Sequence, residues 1–87
     1  MININFVKYE SRAVAYDGEN LIGLCEYIEN EDTWNIVHTE VNSNYQGQGI
    51  ARKLVECVLN NAPKYNKIVI ADCSYAQKVI EKNNSKM

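Results

Sequence analysis

Tyr45-Gln46-Gly47-Gln48-Gly49-Ile50-Ala51-Arg52-Lys53-Leu54-Val55 is the stretch on which the reading of this chain turns. Its two central glycines, at i and i+2, let the backbone turn tightly and bring successive N–H groups to one side. From there Ile50, Ala51, Leu54, Val55, Val58, Leu59 and Ala62 recur at helical spacing. Arg52, Lys53, Glu56 and Asn60 fill the polar face, with Arg52 and Glu56 as an i,i+4 pair. The first turn of such a helix carries amides without intrahelical partners and the positive end of the helix dipole. The turn is therefore a socket for phosphate, made from backbone rather than from charged side chains.

Upstream of this turn, Thr33 to Val41 predicts a strand. Strict alternation puts Trp34, Ile36, His38 and Glu40 on one face, and Asn35, Val37, Thr39 and Val41 on the other. Glu29-Asn30-Glu31-Asp32 reads as a turn, and residues 20–29 as the strand before it. Asp17-Gly18 is a hairpin signal, with Glu19-Asn20 widening the turn. Residues 2–16 read as one extended segment. Downstream, Pro63 ends the helix, and Lys67-Ile68-Val69-Ile70-Ala71 is a continuously apolar strand of the kind buried between neighbours. A last helix is expected from Tyr75 to Lys82, with residues 83–87 frayed. The order β-β-β-α-β-α predicts an α+β fold (mixed α/β), in which one mixed antiparallel and parallel sheet carries packed helices. The strand-helix-strand unit over residues 33–71 makes its two strands parallel, joined by a right-handed crossover.

With 87 residues, the chain is read as one small domain over 1–87. An apolar content of 46% and a charged content of 23% are those of a globular protein. The formal net charge of −2, without a basic block, argues against nucleic acid as partner and against polybasic attachment to a membrane. No apolar run approaches the roughly 18 residues that would cross a bilayer, and Met1-Ile2-Asn3-Ile4-Asn5 is not a signal peptide. Cys25, Cys57 and Cys73 are widely spaced and form no metal-binding pattern, so no metal is expected. Free thiols in a reducing, cytoplasmic setting are the simplest reading. Trp34 and the tyrosines lack the interleaved basic residues of a base-stacking surface and are read as sheet packing.

Several phosphate-binding turns can be eliminated. Gly-Lys-Ser/Thr is absent, which excludes a Walker A loop. A dinucleotide fingerprint would need Gly or Ala where Arg52 stands, and it normally opens a first β-α unit. What remains is Gln-x-x-Gly-x-Gly/Ala, present as Gln46-Gly47-Gln48-Gly49-Ile50-Ala51. This resembles the pyrophosphate-binding motif of the GNAT acetyltransferase superfamily. More narrowly, the chain is similar to the compact GNAT-like family of small single-domain proteins (the YjdJ-like type). His38-Thr39-Glu40-Val41 before the turn and Cys73-Ser74-Tyr75 after the last strand carry that closer match, which extends from about Arg12 to Asn83. The chain is far shorter than a usual GNAT domain and has no room for the superfamily's N-terminal helices.

The resemblance implies a minimal GNAT-like fold that binds acetyl-CoA as co-substrate in a splay between two parallel strands. The strand ending at Val41 would form one wall and Ile68–Asp72 the other. The backbone N–H near Val41 would polarise the thioester carbonyl. The turn's Gly47 and the amides of Gln48, Gly49, Ile50 and Ala51 would hold the pyrophosphate, with Gln46 and Arg52 as side-chain supports. The implied activity is N-acetyl transfer to an amine: a protein lysine, a polyamine or a small amine. The alternative is a non-catalytic CoA-binding or adaptor module. Without N-terminal helices the acceptor cleft would be open and shallow, or be completed by a protein partner.

Four side chains are candidates for the chemistry. His38, the chain's only histidine, is a general base or relay for the incoming amine, or else a hydrogen-bonded sheet residue. Glu40 would orient that imidazole or take the proton itself, unless it is a solvated charge at the sheet end. Cys73 would accept the acetyl group, protonate departing CoA, or simply pack. Tyr75 is the other candidate acid toward the CoA sulfur, a task tyrosine often performs in the superfamily. Cys57, on the helix, and Cys25, on a strand far from the motif, are assigned to packing.

Overall fold

The computed structural model describes residues 1–85, and in it the extended run before Asp17 is two strands. β1 (Ile2–Val7) and β2 (Arg12–Asp17) are separated by a 3-10 turn over Lys8–Glu10, and Ser11 adopts a left-handed conformation at φ 57°. That reversal lets β1 pair antiparallel with β2, from Ile2 opposite Asp17 to Val7 opposite Arg12. Unlike Gly or Asn, a serine advertises no left-handed turn, so this reversal was hidden in the sequence. The order is therefore β-β-β-β-α-β-α, still a mixed α+β fold.

β3 (Asn20–Glu29) follows through a hairpin tighter than expected. Asp17 pairs directly with Asn20, leaving Gly18-Glu19 as the loop, with Gly18 at φ 61°. β4 (Thr33–Val41), α1 (Ile50–Asn61), β5 (Ile68–Ala71) and α2 (Ser74–Ser85) complete the fold. Pro63 falls in a 3-10 turn over Ala62–Tyr65 that takes over from α1. The sheet order is β1-β2-β3-β4-β5, antiparallel except for the β4–β5 pair, which is parallel as the strand-helix-strand reading requires.

Two expectations fail at the end of the chain. β5 is not buried between neighbours: it forms the sheet edge, with Ile68 67% and Ile70 45% exposed. Its apolar run is half core-facing, through Val69 and Ala71, and half solvent-facing. α2 continues to Ser85, so residues 83–85 are helical where fraying was expected, while residues 86–87 of that tail lie outside the described residues.

Both helices cover the same face of the sheet. Leu54, Val55 and Val58 of α1 and Ala76 and Val79 of α2 join Ala13, Ala15, Cys25, Tyr27, Trp34 and Ile36 in one buried cluster. At the end of the sheet where β4 begins, the cluster is aromatic. Tyr27 and Trp34 stack at 4.3 Å between ring centroids, Phe6 lies 5.6 Å from Trp34, and Tyr65 closes the row at 5.6 Å. Lys8 sits over the Tyr65 ring at 5.1 Å and pairs with Glu29 at 3.2 Å. Lys67 also pairs with Glu29, at 3.2 Å, and donates to the carbonyls of Asn30 and Glu31. These contacts bolt the start of β4 to both its neighbours. As expected, Trp34 and the tyrosines of this row serve packing.

The decisive irregularity is a bulge in β4. Tyr27 pairs with Ile36 and Glu26 with His38, so Val37 is an extra residue in the strand. Strict alternation along Thr33–Val41 therefore breaks. Before the bulge Trp34 and Ile36 face the core; after it Thr39 and Val41 do, with Thr39 Oγ1 3.6 Å from the buried Cys25 sulfur. His38 and Glu40 still share a face, but the one opposite Trp34 and Ile36.

Candidate functional site

β5 is short, and its shortness opens the site. Parallel pairing with β4 stops at Ile36 opposite Ala71. There the Ile36 carbonyl accepts from both Asp72 N–H at 3.0 Å and Cys73 N–H at 3.2 Å. The Asn35 side chain clasps the same point. Its amide nitrogen donates to Asp72 Oδ2 at 3.0 Å, and its oxygen accepts from the Asp72 backbone N–H at 3.0 Å. Past this clasp β5 gives way to α2, while β4 runs on for five residues. The result is a fork.

The bulge decides what lines the fork. Before it, the Ile36 carbonyl faces β5; after it, the Asn42 N–H donates to Ile22 of β3 at 2.7 Å. Because backbone groups alternate in direction along a strand, the N–H and C=O of Thr39 and Val41 then point away from β3, into the fork. Gly23 lets this end of β4 lie close. A Cβ there would meet the Glu40 carbonyl at 3.0 Å and the Leu54 and Val41 side chains at 3.2 and 3.3 Å. An isolated glycine inside a strand signals such an approach, although its role was not read from the sequence. Asn35, an ordinary polar residue on a half-buried strand, carried no such signal.

The glycine turn lies at the fork's far end. Asn42 caps a 3-10 turn over Ser43–Tyr45 by accepting from the Asn44 N–H at 2.9 Å. Tyr45 donates its hydroxyl to Asp17 of the β2–β3 hairpin at 2.5 Å. That bond, and secondarily the Met1 amino group 3.0 Å away, hold the Asp17 carboxyl below its usual range; the same bond raises the Tyr45 hydroxyl. Gly47 and Gly49 take left-handed φ of 85° and 78°, and Gly49 is the residue before α1. The first bond of the helix runs from Lys53 N–H to the Gly49 carbonyl, so the amides of Ile50, Ala51 and Arg52 have no intrahelical acceptor. No acidic residue stands in that first turn to compete for its positive end.

Two adjoining hollows, of about 340 and 460 Å³, join fork and turn. Val41, Gln46, Ala51 and Tyr75 line both; Gly47, Gly49 and Ile50 line the first, and Thr39 and Glu40 the second. Cys73 lies at the fork's crotch, its sulfur 3.8 Å from Thr39 Oγ1. Cys25 is thus not far from the motif, since Thr39 stands between the two thiols. Burial pushes the Cys25 thiol up to about 11, which suits the packing role assigned to it. Cys57 is partly buried on α1 beside Asn61.

The remaining candidates sit apart. His38 lies on the open face, its Nε2 3.6 Å from Glu40 Oε1, with side chains 52% and 62% exposed. Glu40 alone of the two reaches the groove, and it also borders a hollow of about 200 Å³ with Leu21, Leu24 and Asn42. Gln48 is exposed and lines neither hollow. The Arg52 side chain pairs with Glu56 at 3.2 Å and lines a separate hollow between the helices. Among the described residues, no cluster of His, Cys, Asp and Glu is arranged to hold a metal, and no helix is long and apolar enough to cross a membrane.

The fold has counterparts among solved structures. The chain resembles a GCN5-like protein of Staphylococcus aureus, with 32% identity and a TM-score of 0.72 over 95% of this chain and 81% of that one. An IAA acetyltransferase of Bacillus cereus ATCC 14579 matches at 26% identity and TM-score 0.65. The ribosomal-protein-alanine N-acetyltransferase of Brucella melitensis biovar Abortus 2308 shares the fold at 18% identity and TM-score 0.65. The chain spans 51% and 60% of those last two proteins. No curated protein matches it. The family model for GCN5-related N-acetyltransferases matches residues 8–87, and the chain belongs to that family.

Proposed function

We propose that the chain binds acetyl-CoA along the fork and transfers its acetyl group to a primary amine. The observation that carries this reading is the continuity of the groove. It runs from unpaired β4 backbone at Thr39 and Val41 to the free amides of α1. A thioester with an amide-bearing arm and a pyrophosphate needs both, in that order.

In this reading the amides of Gln48, Gly49, Ile50 and Ala51 hold the pyrophosphate, with Gly47 and Gly49 setting the turn. Gln46, which lines the groove, supports the arm. The Val41 N–H aims at the thioester carbonyl and stabilises the negative charge that grows on its oxygen as the amine attacks. Glu40, with His38 beside it, accepts the proton lost by the amine. The tetrahedral intermediate then expels CoA thiolate, which takes a proton from Tyr75 or Cys73. An acetamide and free CoA are the products. α1 and α2 cover the other face of the sheet, so the amine arrives across the open face, past Glu40.

The exposure of His38 and Glu40 favours a second reading, a CoA-binding module whose acceptor site is shallow or completed by a protein partner. Incubation with acetyl-CoA and an amine panel, followed by intact mass and thiol release, separates the two. Acceptor-dependent CoA release supports the transferase; binding without acceptor dependence supports the module; no binding sinks both. A stable acetyl adduct lost in Cys73→Ala would assign Cys73 as nucleophile. Activity retained in that variant, with no adduct in the parent, excludes that route.

A further inference from the structure

Glu40 belongs to two hollows. One is the thioester end of the groove, shared with Thr39, Val41 and Tyr75. The other, of about 200 Å³, lies beside it and is lined by Leu21, Ile22, Gly23, Leu24 and Asn42 as well as Glu40. Only the first is used in the proposed reaction.

A second bulge shapes the other hollow. Ala15 pairs with Gly23 but Tyr16 with Leu21, so Ile22 is an extra residue in β3. A Cβ on Gly23 would meet Leu54 of the core, and counting back by two from there would bury Leu21. Instead Ile22 takes the core position, 4% exposed, and Leu21 comes out at 46%. Leu24 stands directly opposite Glu40 across the β3–β4 pair. The bulge thus sets two leucines beside the one carboxylate that also reaches the groove.

The lining is chemically one-sided. Among the described residues, Glu40 is its only charged group, and it attracts an ammonium. The Asn42 side-chain oxygen accepts from the Asn44 N–H, so what Asn42 offers the hollow is its amide nitrogen, a donor. Asn42 follows Glu40 by two residues, about 7 Å of extended chain. The volume is below the roughly 300–1,000 Å³ of pockets that enclose a drug-sized ligand. It suits a stem rather than a ring system.

We infer that this hollow is the acceptor subsite, and that it selects a primary amine on an unbranched, uncharged alkyl stem over diamines, polyamines and ring-bearing amines. The inference rests on the proposed transfer and names its substrate class. With the amine at Glu40, its nitrogen bonds to the acetyl carbon as the C–S bond breaks. Glu40 takes the amine's proton, and the departing thiolate takes one from Tyr75 or Cys73. Leu21 and Leu24 cover the methylenes. A second ammonium at the far end would lose water against those leucines and meet a donor at Asn42. A lysine side chain of a polypeptide and a free alkylamine share the favoured chemistry.

Steady-state acetylation by the whole chain at saturating acetyl-CoA tests this with pentylamine, ethylamine, benzylamine and the diamine cadaverine. The kcat/KM for pentylamine should exceed those for cadaverine and benzylamine about tenfold, and that for ethylamine severalfold. Leu21→Glu, at an exposed position, should reverse the order of pentylamine and cadaverine. Its acetyl-CoA affinity by calorimetry should match the parent's, which also reports that the variant is folded. In the CoA complex, added pentylamine should shift the methyl resonances of Leu21 and Leu24. A lysine peptide that outruns pentylamine supports the subsite with a polypeptide as source; the opposite order supports it with a free amine. Equal rates across the panel, or an order unmoved by Leu21→Glu, would overturn the subsite and leave the transferase standing. Acetyl-CoA binding without transfer to any amine overturns both.

Discussion

The two halves of β4 are made from one strand and do opposite work. Thr33–Ile36 is closed on both sides, by β3 and by β5, and its inward side chains are Trp34 and Ile36, both 0% exposed. Val37–Val41 has β3 on one side and the fork on the other. Its side chains run from half-buried to exposed. The first half spends its backbone on the sheet and its side chains on the core. The second leaves part of its backbone unpaired on the side of the fork. A single bulged residue, with the Asn35–Asp72 clasp next to it, marks the boundary.

If this division is right, injuries to each half should separate stability from binding. The largest loss is expected for Trp34→Ala, which empties the centre of the aromatic row; removal of a buried Trp costs about 3–5 kcal/mol. For an 87-residue domain, that approaches the whole stability. Urea unfolding measures it, and a loss below about 1 kcal/mol would mean that the closed half is not the anchor.

Gly49→Val comes next and strikes the open half. Nothing crowds a Cβ there, so the strain comes only from forcing a β-branched residue to φ 78°. At about 1–3 kcal/mol the domain should stay folded. The turn should relax away from the geometry that aims its amides, and CoA binding should be lost. A folded variant with an unchanged NMR titration by CoA would dissolve the distinction between the halves.

The smallest effect concerns the tie between the glycine turn and the rest of the sheet. The Tyr45 hydroxyl lowers the Asp17 carboxyl, so the ionised form stabilises the folded state. That stability is present above the unfolded value of about 4 and is lost as pH falls through the lower folded value. Asp17→Asn should therefore be less stable than the parent at neutral pH, with the gap closing in acid. Thermal melts between about pH 7 and 3 follow it. A gap that stays constant across that range would detach Asp17 from the turn.

The sequence made the closed half and the turn legible for physical reasons. Apolar spacing after Gly49 specifies a helix packed on a sheet, and two glycines directly before a helix start mark a tight turn there. What escaped reading depended on pairing register. No residue type announces the Val37 bulge, which arises because β3 and β4 hold different numbers of residues between the same two contacts. One extra residue moved Thr39 and Val41 to the face occupied by Trp34, and it drew Cys25 into the neighbourhood of Cys73. The Ile68–Ala71 run looked internal because side-chain composition does not report whether a second neighbour exists. His38 and Glu40 were correctly paired with each other, since both follow the bulge and keep the two-residue period.

The bulge also leaves an imprint on solvent exchange. Beyond it, the amides of Thr39 and Val41 look into the fork, whereas the Asn42 amide is tied to Ile22 and those of Asp72 and Cys73 to Ile36. Protection against deuterium should alternate along β4 after Val37, with labile amides at Thr39 and Val41, where the proposed function seats the arm of the ligand. Occupancy of the fork would then be written residue by residue as slowed exchange at Thr39 and Val41, while the aromatic end, already sealed, would record almost nothing.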